Sequence, residues 1–304
     1  MASVFTELKS FYNRNGIVVR ILLINIFIYV AWLFIGIIGK LSKTNIAYEI
    51  MYYLSASSDV KILITKPWTI LTYMFGHFDL LHILFNMLMF YFAGQFFITL
   101  MGSKKLISTY IIGGLFGLML FILCYNIFPA LTPYVGGHIN GASAAVMAIF
   151  VALGTYAPNA PVRVFFFGPF KMIYLVLLFV LIDFARLSSS LDLANPTAGN
   201  AGGWIAHIGG ALYGAWFGMS FRQGKDISKW YDKLINWFRN LFKPKPKMKV
   251  YSYSKKPVTD EKYNDLKAEK QKKIDRILDK ISKSGYESLS KEEKDFLFNA
   301  SKNI

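Results

Sequence analysis

The chain has 304 residues, 54% of them hydrophobic, a formal net charge of +16 and a mean hydropathy of +0.38, which excludes a domain with an ordinary solvated surface and points to a membrane protein. Residues 1–221 carry 12 Lys and Arg against 6 Asp and Glu, whereas residues 222–304 carry 22 against 12. A basic tail beside a membrane suits anionic headgroups and topology rather than nucleic acid, and the single cysteine, Cys124, rules out an intramolecular disulfide and a zinc site built from thiols.

Lys9, Arg14 and Arg20 precede the first apolar run, residues 21–39, whose only strongly polar member is Asn25. The run is long enough to cross roughly 30 Å of hydrocarbon and no small-residue cleavage site follows it, so it is expected to be a first transmembrane helix after a short cytoplasmic segment over 1–20. Residues 40–78 contain Tyr52, Tyr53, Pro67 and Trp68, a composition suited to the membrane interface. Five more spans are expected over residues 80–100, 106–128, 142–156, 172–187 and 203–221. The fourth is short, so it is expected to begin below the membrane surface, with the glycine-rich residues before Ser143 lining a water-filled cavity.

Lys104, Lys105, Arg163, Lys171, Arg222 and Lys225 fall on one side together with the N-terminus. This gives six spans over residues 21–222 with both termini cytoplasmic, although Lys40, Lys43, Lys61 and Lys66 lie on the other side. Residues 223–264 then combine a basic amphipathic stretch at 230–242 with a stiff Lys/Pro linker at 243–247. Within 265–304, Ile274, Ile277, Leu278 and Ile281 follow a helical period, Gly285 closes that helix, and Ser290 with Glu293 makes a capping box for another. The expected architecture is thus an all-α six-helix membrane bundle with a small soluble cytoplasmic helical hairpin.

Polar groups inside spans are costly, which makes His82, Asn86, Ser143, Asp183 and His207 the functional candidates, with His77 and His138 at span edges. His82 and Asn86 are four apart and share one helix face, either as packing hydrogen bonds or as inward donors. Gly210, Gly214 and Gly218 form a smooth helix face next to His207. If the partner of that face is the small-residue helix starting at Ser143, hydroxyl and imidazole become a nucleophile and base pair. The Ser143 N–H at its helix start, with His82 and Asn86, would then stabilise the oxyanion. Asp183, three residues from Arg186, is expected to form a local ion pair, leaving a dyad rather than a triad. His138 is expected to be exposed, and His77 to hydrogen-bond the loop to the second span. The four histidines are scattered, so no metal site is expected.

Gly76-His77-Phe78-Asp79-Leu80-Leu81-His82-Ile83-Leu84-Phe85-Asn86, Gly141-Ala142-Ser143-Ala144 and Ala206-His207-Ile208-Gly209-Gly210 resemble, in order and placement, the three signature blocks of the rhomboid intramembrane serine proteases. The resemblance covers roughly residues 15–222. It implies Ser143 as nucleophile, His207 as general base, and His82, Asn86 and the Ser143 amide as oxyanion hole. It also implies that residues 40–78 are a partly embedded loop and that span five or its adjoining loop gates lateral access. Two positions depart from the family pattern. Ala144 stands where the family has glycine, with a methyl that crowds the oxyanion pocket if the backbone there needs glycine freedom, and Met147 stands where an aromatic often stacks on the histidine.

The expected function is intramembrane serine endopeptidase acting in or near transmembrane segments of other membrane proteins, through an acyl-enzyme and without a cofactor. The alternative is a catalytically inactive relative that binds transmembrane segments; a small transporter would need paired charges deep in the membrane. The expected setting is the bilayer of a bacterial inner membrane, without nucleic acid, and with a soluble partner or self-association open to the C-terminal hairpin.

Overall fold

The computed structural model describes residues 4–163, 168–191, 201–241 and 259–301, with the backbone alone for 4–15 and 301. The chain divides into two compact units, Met1–Lys243 and Pro244–Ile304. The Lys/Pro linker expected at 243–247 lies outside the described residues.

In the first unit, α1 (Val4–Leu41) is broken at Gly16, whose φ of 51° and ψ of −124° are not helical. The part long and apolar enough to cross a membrane is Gly16–Leu41, which begins at that break, five residues before the expected apolar run, and Val18 and Val19 within it are buried. The connection to the next span folds into α2 (Ile46–Leu54), β1 (Ala56–Ser57), α3 (Val60–Thr65) and α4 (Thr69–Thr72), leaving Tyr48, Tyr53 and Trp68 exposed in the manner of interfacial anchors. Then follow α5 (Leu80–Met101), α6 (Ser103–Ile127), β2 (His138–Ile139), α7 (Ser143–Tyr156), β3 (Pro161–Arg163), β4 (Pro169–Lys171), α8 (Met172–Ser190), α9 (Ala201–Arg222) and α10 (Lys229–Leu241). Strands β3 and β4 form an antiparallel hairpin.

Among the described residues four helices are long and apolar enough to cross a membrane: Gly16–Leu41, Leu80–Met101, Ser103–Ile127 and Met172–Ser190. The helices at the fourth and sixth expected positions differ. α7 has only 14 residues, and α9, with 22, carries too much glycine and polar surface to rank with the four. α7 is wrapped by protein, so lipid does not require it to be long and uniformly apolar, whereas α9 buries its glycine face and leaves Leu212, Trp216 and Met219 exposed. Ten residues of α7, Ala144 to Val146 and Ala148 to Gly154, are buried.

The packing that hides α7 is a glycine contact on both sides. Methyl groups added at Gly210, Gly214 and Gly218 of α9 would run into the carbonyl oxygens of Ala144, Ala148 and Ala152 of α7. The rise by four on both helices means that α7 and α9 run parallel with their backbones in contact. On the opposite side, Gly113 of α6 leaves room for the Ala148 side chain. α1 and α8 bury little of themselves and stand at the periphery.

The second unit contains α11 (Asp260–Ser284), a 3₁₀ turn over Tyr286–Ser288, and α12 (Lys291–Ser301). Ser290 N–H donates to Glu293 Oε2 at 2.8 Å and Glu293 N–H donates to Ser290 Oγ at 3.3 Å, the reciprocal capping box that the spacing requires. Lys280 of α11 bonds the same Glu293 at 2.9 Å, tying the two helices together.

Candidate active site

Ser143 is the first residue of α7, and the loop before it is held by two backbone anchors. Gly141 N–H donates to the Tyr73 carbonyl at 2.8 Å, and Ala142 N–H donates to His77 Nε2 at 3.2 Å. Tyr73 is itself fixed by its hydroxyl, which donates to the Gly114 carbonyl of α6 at 2.6 Å. Further out, β1 pairs antiparallel with β2, joining Ala56 to Ile139 and Ser57 to His138, and Ser58 N–H donates to the Gly137 carbonyl at 2.9 Å. The 40–78 connection is therefore stapled along the whole approach to the serine.

Gly141 has a φ of +111°, which side chains rarely adopt. A methyl group there would also lie 3.0 Å from His82 Nε2 and 3.8 Å from Asn86 Nδ2. Both α5 side chains thus reach to within two residues of Ser143. Asn86 is buried, and its Nδ2 donates to His77 Nε2 at 3.0 Å, leaving its second N–H for another acceptor. His77 accepts two hydrogen bonds on one nitrogen, so its ring is neutral; burial first, and then the His82 ring, push its pKa down to about 4. It joins the loop to α5 as expected, and to the serine loop as well.

His207 sits on α9 one helical turn before Gly210. The helices converge at Gly117 of α6, where an added methyl would lie 2.7 Å from both the Ala144 side chain and the Ala206 carbonyl. Ser143 and His207 are the sequence neighbours of the two residues meeting at that point. Among the described residues no hydrogen bond links Ser143 to His207. Catalytic hydrogen bonds in ligand-free enzymes are often long and tighten only when substrate binds. The His82 and His207 rings are within electrostatic range of each other.

Asp183 does not pair with Arg186. Arg186 is exposed, whereas the Asp183 side chain is buried, with its Oδ2 3.2 Å from His207 Nδ1. A carboxylate only accepts, so Nδ1 carries the proton and Nε2 is the nitrogen left with a lone pair. The i, i+3 spacing to Arg186 masked this contact, which crosses from α8 to α9. Asp183 is also among the residues lining an apolar crevice of about 200 Å³ with Val151 of α7, Val180 and Phe184 of α8, and Ile208 and Leu212 of α9.

One further sequence expectation changes. His138 is half-buried rather than exposed, with its ring 4.7 Å from that of Tyr52, because β2 pairs it against the 40–78 connection. The ring beside His207 is that of Trp204, at 5.4 Å, one turn earlier on its own helix. The Ala144 methyl meets Gly117 of α6, and Ala144 is helical, since Lys43 is the only non-glycine residue with positive φ among the described residues. Glycine freedom is therefore not required at position 144.

Comparisons with known proteins agree with these blocks. The rhomboid domain family matches residues 65–224, more than half the chain, and a family of unknown function, DUF6576, matches residues 258–303. The chain is similar to the mitochondrial presenilin-associated rhomboid-like proteins of Bos taurus, 24% identical over 220 residues covering 69% of this chain and 51% of the relative, and of Homo sapiens, 24% over 227 residues with the same coverage. The Danio rerio presenilin-associated rhomboid-like protein A, mitochondrial, is 25% identical over 172 residues, covering 53% of this chain and 41% of its own. The chain spans about half the length of the curated relatives it matches. With four helices among the described residues long and apolar enough to cross a membrane, the three sequence blocks gathered around Ser143 and a family match across that region, the chain belongs to the rhomboid family.

Proposed function

We propose that this chain is an intramembrane serine endopeptidase that cuts membrane proteins in or near their transmembrane segments. The observation that carries the reading is the His207 Nδ1 to Asp183 Oδ2 contact at 3.2 Å, which leaves Nε2 as the basic nitrogen on the helix packed against Ser143. Ser143 Oγ attacks the scissile carbonyl as His207 takes its proton. The Ser143 N–H, His82 and Asn86 donate to the oxyanion, the amine leaves with the proton, and water releases the acyl-enzyme by the same path. In this reading α7 and α9 complete six spans, with both ends on the side of Lys104 and Lys105. The crevice beside Asp183 is where a substrate helix approaches between α8 and α9. The proposed setting is a bacterial plasma membrane with cytoplasmic ends, although the relatives are mitochondrial by name.

A second reading is a non-catalytic rhomboid-like protein that holds transmembrane segments. It draws support from the missing Ser143–His207 hydrogen bond and from the relatives' names, which state "rhomboid-like" and no activity. The experiment that separates the two treats the detergent-purified chain with a fluorophosphonate. Covalent labelling of Ser143 that disappears in Ser143→Ala supports the protease; failure of well-folded wild type to label or to cut several reporters favours binding alone.

Asp183 is a positioning residue in this mechanism. Asp183→Asn is expected to lower kcat roughly tenfold or more, less than the about 10⁴ of a full triad, with KM little changed. A rise in KM at constant kcat would instead assign Asp183 to substrate docking on α8.

A further inference from the structure

Beyond the catalytic bundle, the longest uncovered apolar face among the described residues of the first unit's loops and tail is on α10. Trp230, Leu234, Trp237, Phe238 and Leu241 recur at helical spacing and are all exposed. Lys229, Asn236 and Arg239 lie on the other side, and Lys233 flanks the apolar face. No residue of this helix is buried.

The root of α10 is fixed with unusual strength for an exposed helix. Lys105, at the start of α6, has its ammonium 2.6 Å from Asp226 Oδ2, 2.6 Å from Asp232 Oδ2 and 3.0 Å from Ser228 Oγ. Burial opposes ionisation of Asp226, but Lys105 and the Ser228 hydroxyl and N–H outweigh it and hold the carboxyl below its usual range. Ile227 and Tyr231 pack on the edge of the core, and Ser228 is fully buried. Both carboxylates near the helix start are thereby consumed by one lysine, whereas Lys225, Lys229, Lys233 and Arg239 form no ion pair among the described residues.

We infer that α10 is an in-plane anchor that binds the anionic headgroup layer of the membrane crossed by the bundle. The location supports this occupant: α10 starts seven residues after Arg222, the last residue of α9, and its root is clamped to the first turn of α6. It is therefore held where two transmembrane helices meet the surface. The composition supports it too, since aromatic residues on one face and unpaired cations on the other suit the boundary between acyl chains and phosphates. The Lys105 clamp fixes the direction in which α10 leaves α9, so docking of α10 holds the depth of α9 in the bilayer. The inference does not depend on whether the protein is a protease.

The test uses the full chain with its sole cysteine removed, Cys124→Ser, carrying a spin label at Leu234→Cys or Asn236→Cys, in vesicles of phosphatidylcholine alone or with phosphatidylglycerol. With phosphatidylglycerol, the label at 234 is expected to be several-fold more accessible to oxygen and less to a nickel chelate than the label at 236. Lys229→Gln, Lys233→Gln and Arg239→Gln together should lower the docked population's preference for anionic vesicles roughly a hundredfold, since each cation near such a surface is worth about fivefold. Quenching of native fluorescence by brominated lipid, reduced in Trp230→Phe with Trp237→Phe, gives the same readout without cysteine substitution. Equal nickel access at both positions overturns the inference. So does dipolar broadening between labels at 234, which would mean that a second copy covers the face, and so does exclusion of both reagents, which would mean that protein covers it.

Discussion

Ser143→Ala and His207→Ala are each expected to reduce cleavage of a transmembrane reporter by at least roughly a thousandfold, and the double variant no further. The non-additivity is the informative part. A hydroxyl without its base is a weak nucleophile and a base without its nucleophile has nothing to activate, so removing either abolishes the same step. Two residues that merely lined a binding groove would lose activity by smaller, roughly additive steps. The measurement is single-turnover cleavage in liposomes, with melting temperatures confirming that each variant remains folded. Ser143 carries no packing contact comparable to the glycine seams of α7, so Ser143→Ala should change stability little, whereas His207→Ala leaves the buried Asp183 carboxyl without its partner and should lower stability measurably. If Ser143→Ala retains more than about a tenth of wild-type turnover, the serine is not the nucleophile and the transmembrane-binding reading takes its place.

The candidate site residues were legible in the sequence because polar groups inside apolar runs stand out, and His82, Asn86, Ser143 and His207 all lie in such runs. The glycine face of α9 was legible for the same reason, since its period of four has no use except close packing. Three things were hidden. Asp183 was assigned to Arg186 because sequence spacing reveals partners on the same helix and is silent about partners across helices; its actual contact, His207, is 24 positions away. The roles of Tyr73 and His77 as anchors of the serine loop depend on how the 40–78 connection folds back, and nothing in its interfacial composition encodes that path. The consequence of Ala144 could be stated only conditionally for a related reason. Whether a methyl crowds the oxyanion pocket depends on the direction of its Cβ, and the compensating gap at Gly117 lies on another helix. Hydropathy was also a poor guide to α7, because protein covers it, and to α9, because its glycine seam packs on α7.

Gly210→Ala is expected to cost about 1–3 kcal/mol of stability and to lower turnover by more than that loss of folded protein explains. The added methyl runs into the Ala144 carbonyl, so α7 and α9 must separate or slide at the residue adjoining Ser143. Positioning tolerates little of this: a displacement near 1 Å in a catalytic pair can cost about a hundredfold in rate. Gly214→Ala provides the comparison, because its methyl meets the Ala148 carbonyl one turn deeper and should cost similar stability with a smaller loss of turnover per folded molecule. The opposite seam gives a paired test. Gly117→Ala should destabilise the bundle through contacts of 2.7 Å with both the Ala144 Cβ and the Ala206 carbonyl. Ala144→Gly in that background removes the first contact and leaves the second, so it should restore part of the stability and not all of it. Full additivity of the two changes in chemical or thermal unfolding would mean that Ala144 and Gly117 do not share the space assigned to them. A positive coupling would make the methyl that departs from the family pattern a packing feature of α6 and α7, with no direct bearing on the oxyanion pocket.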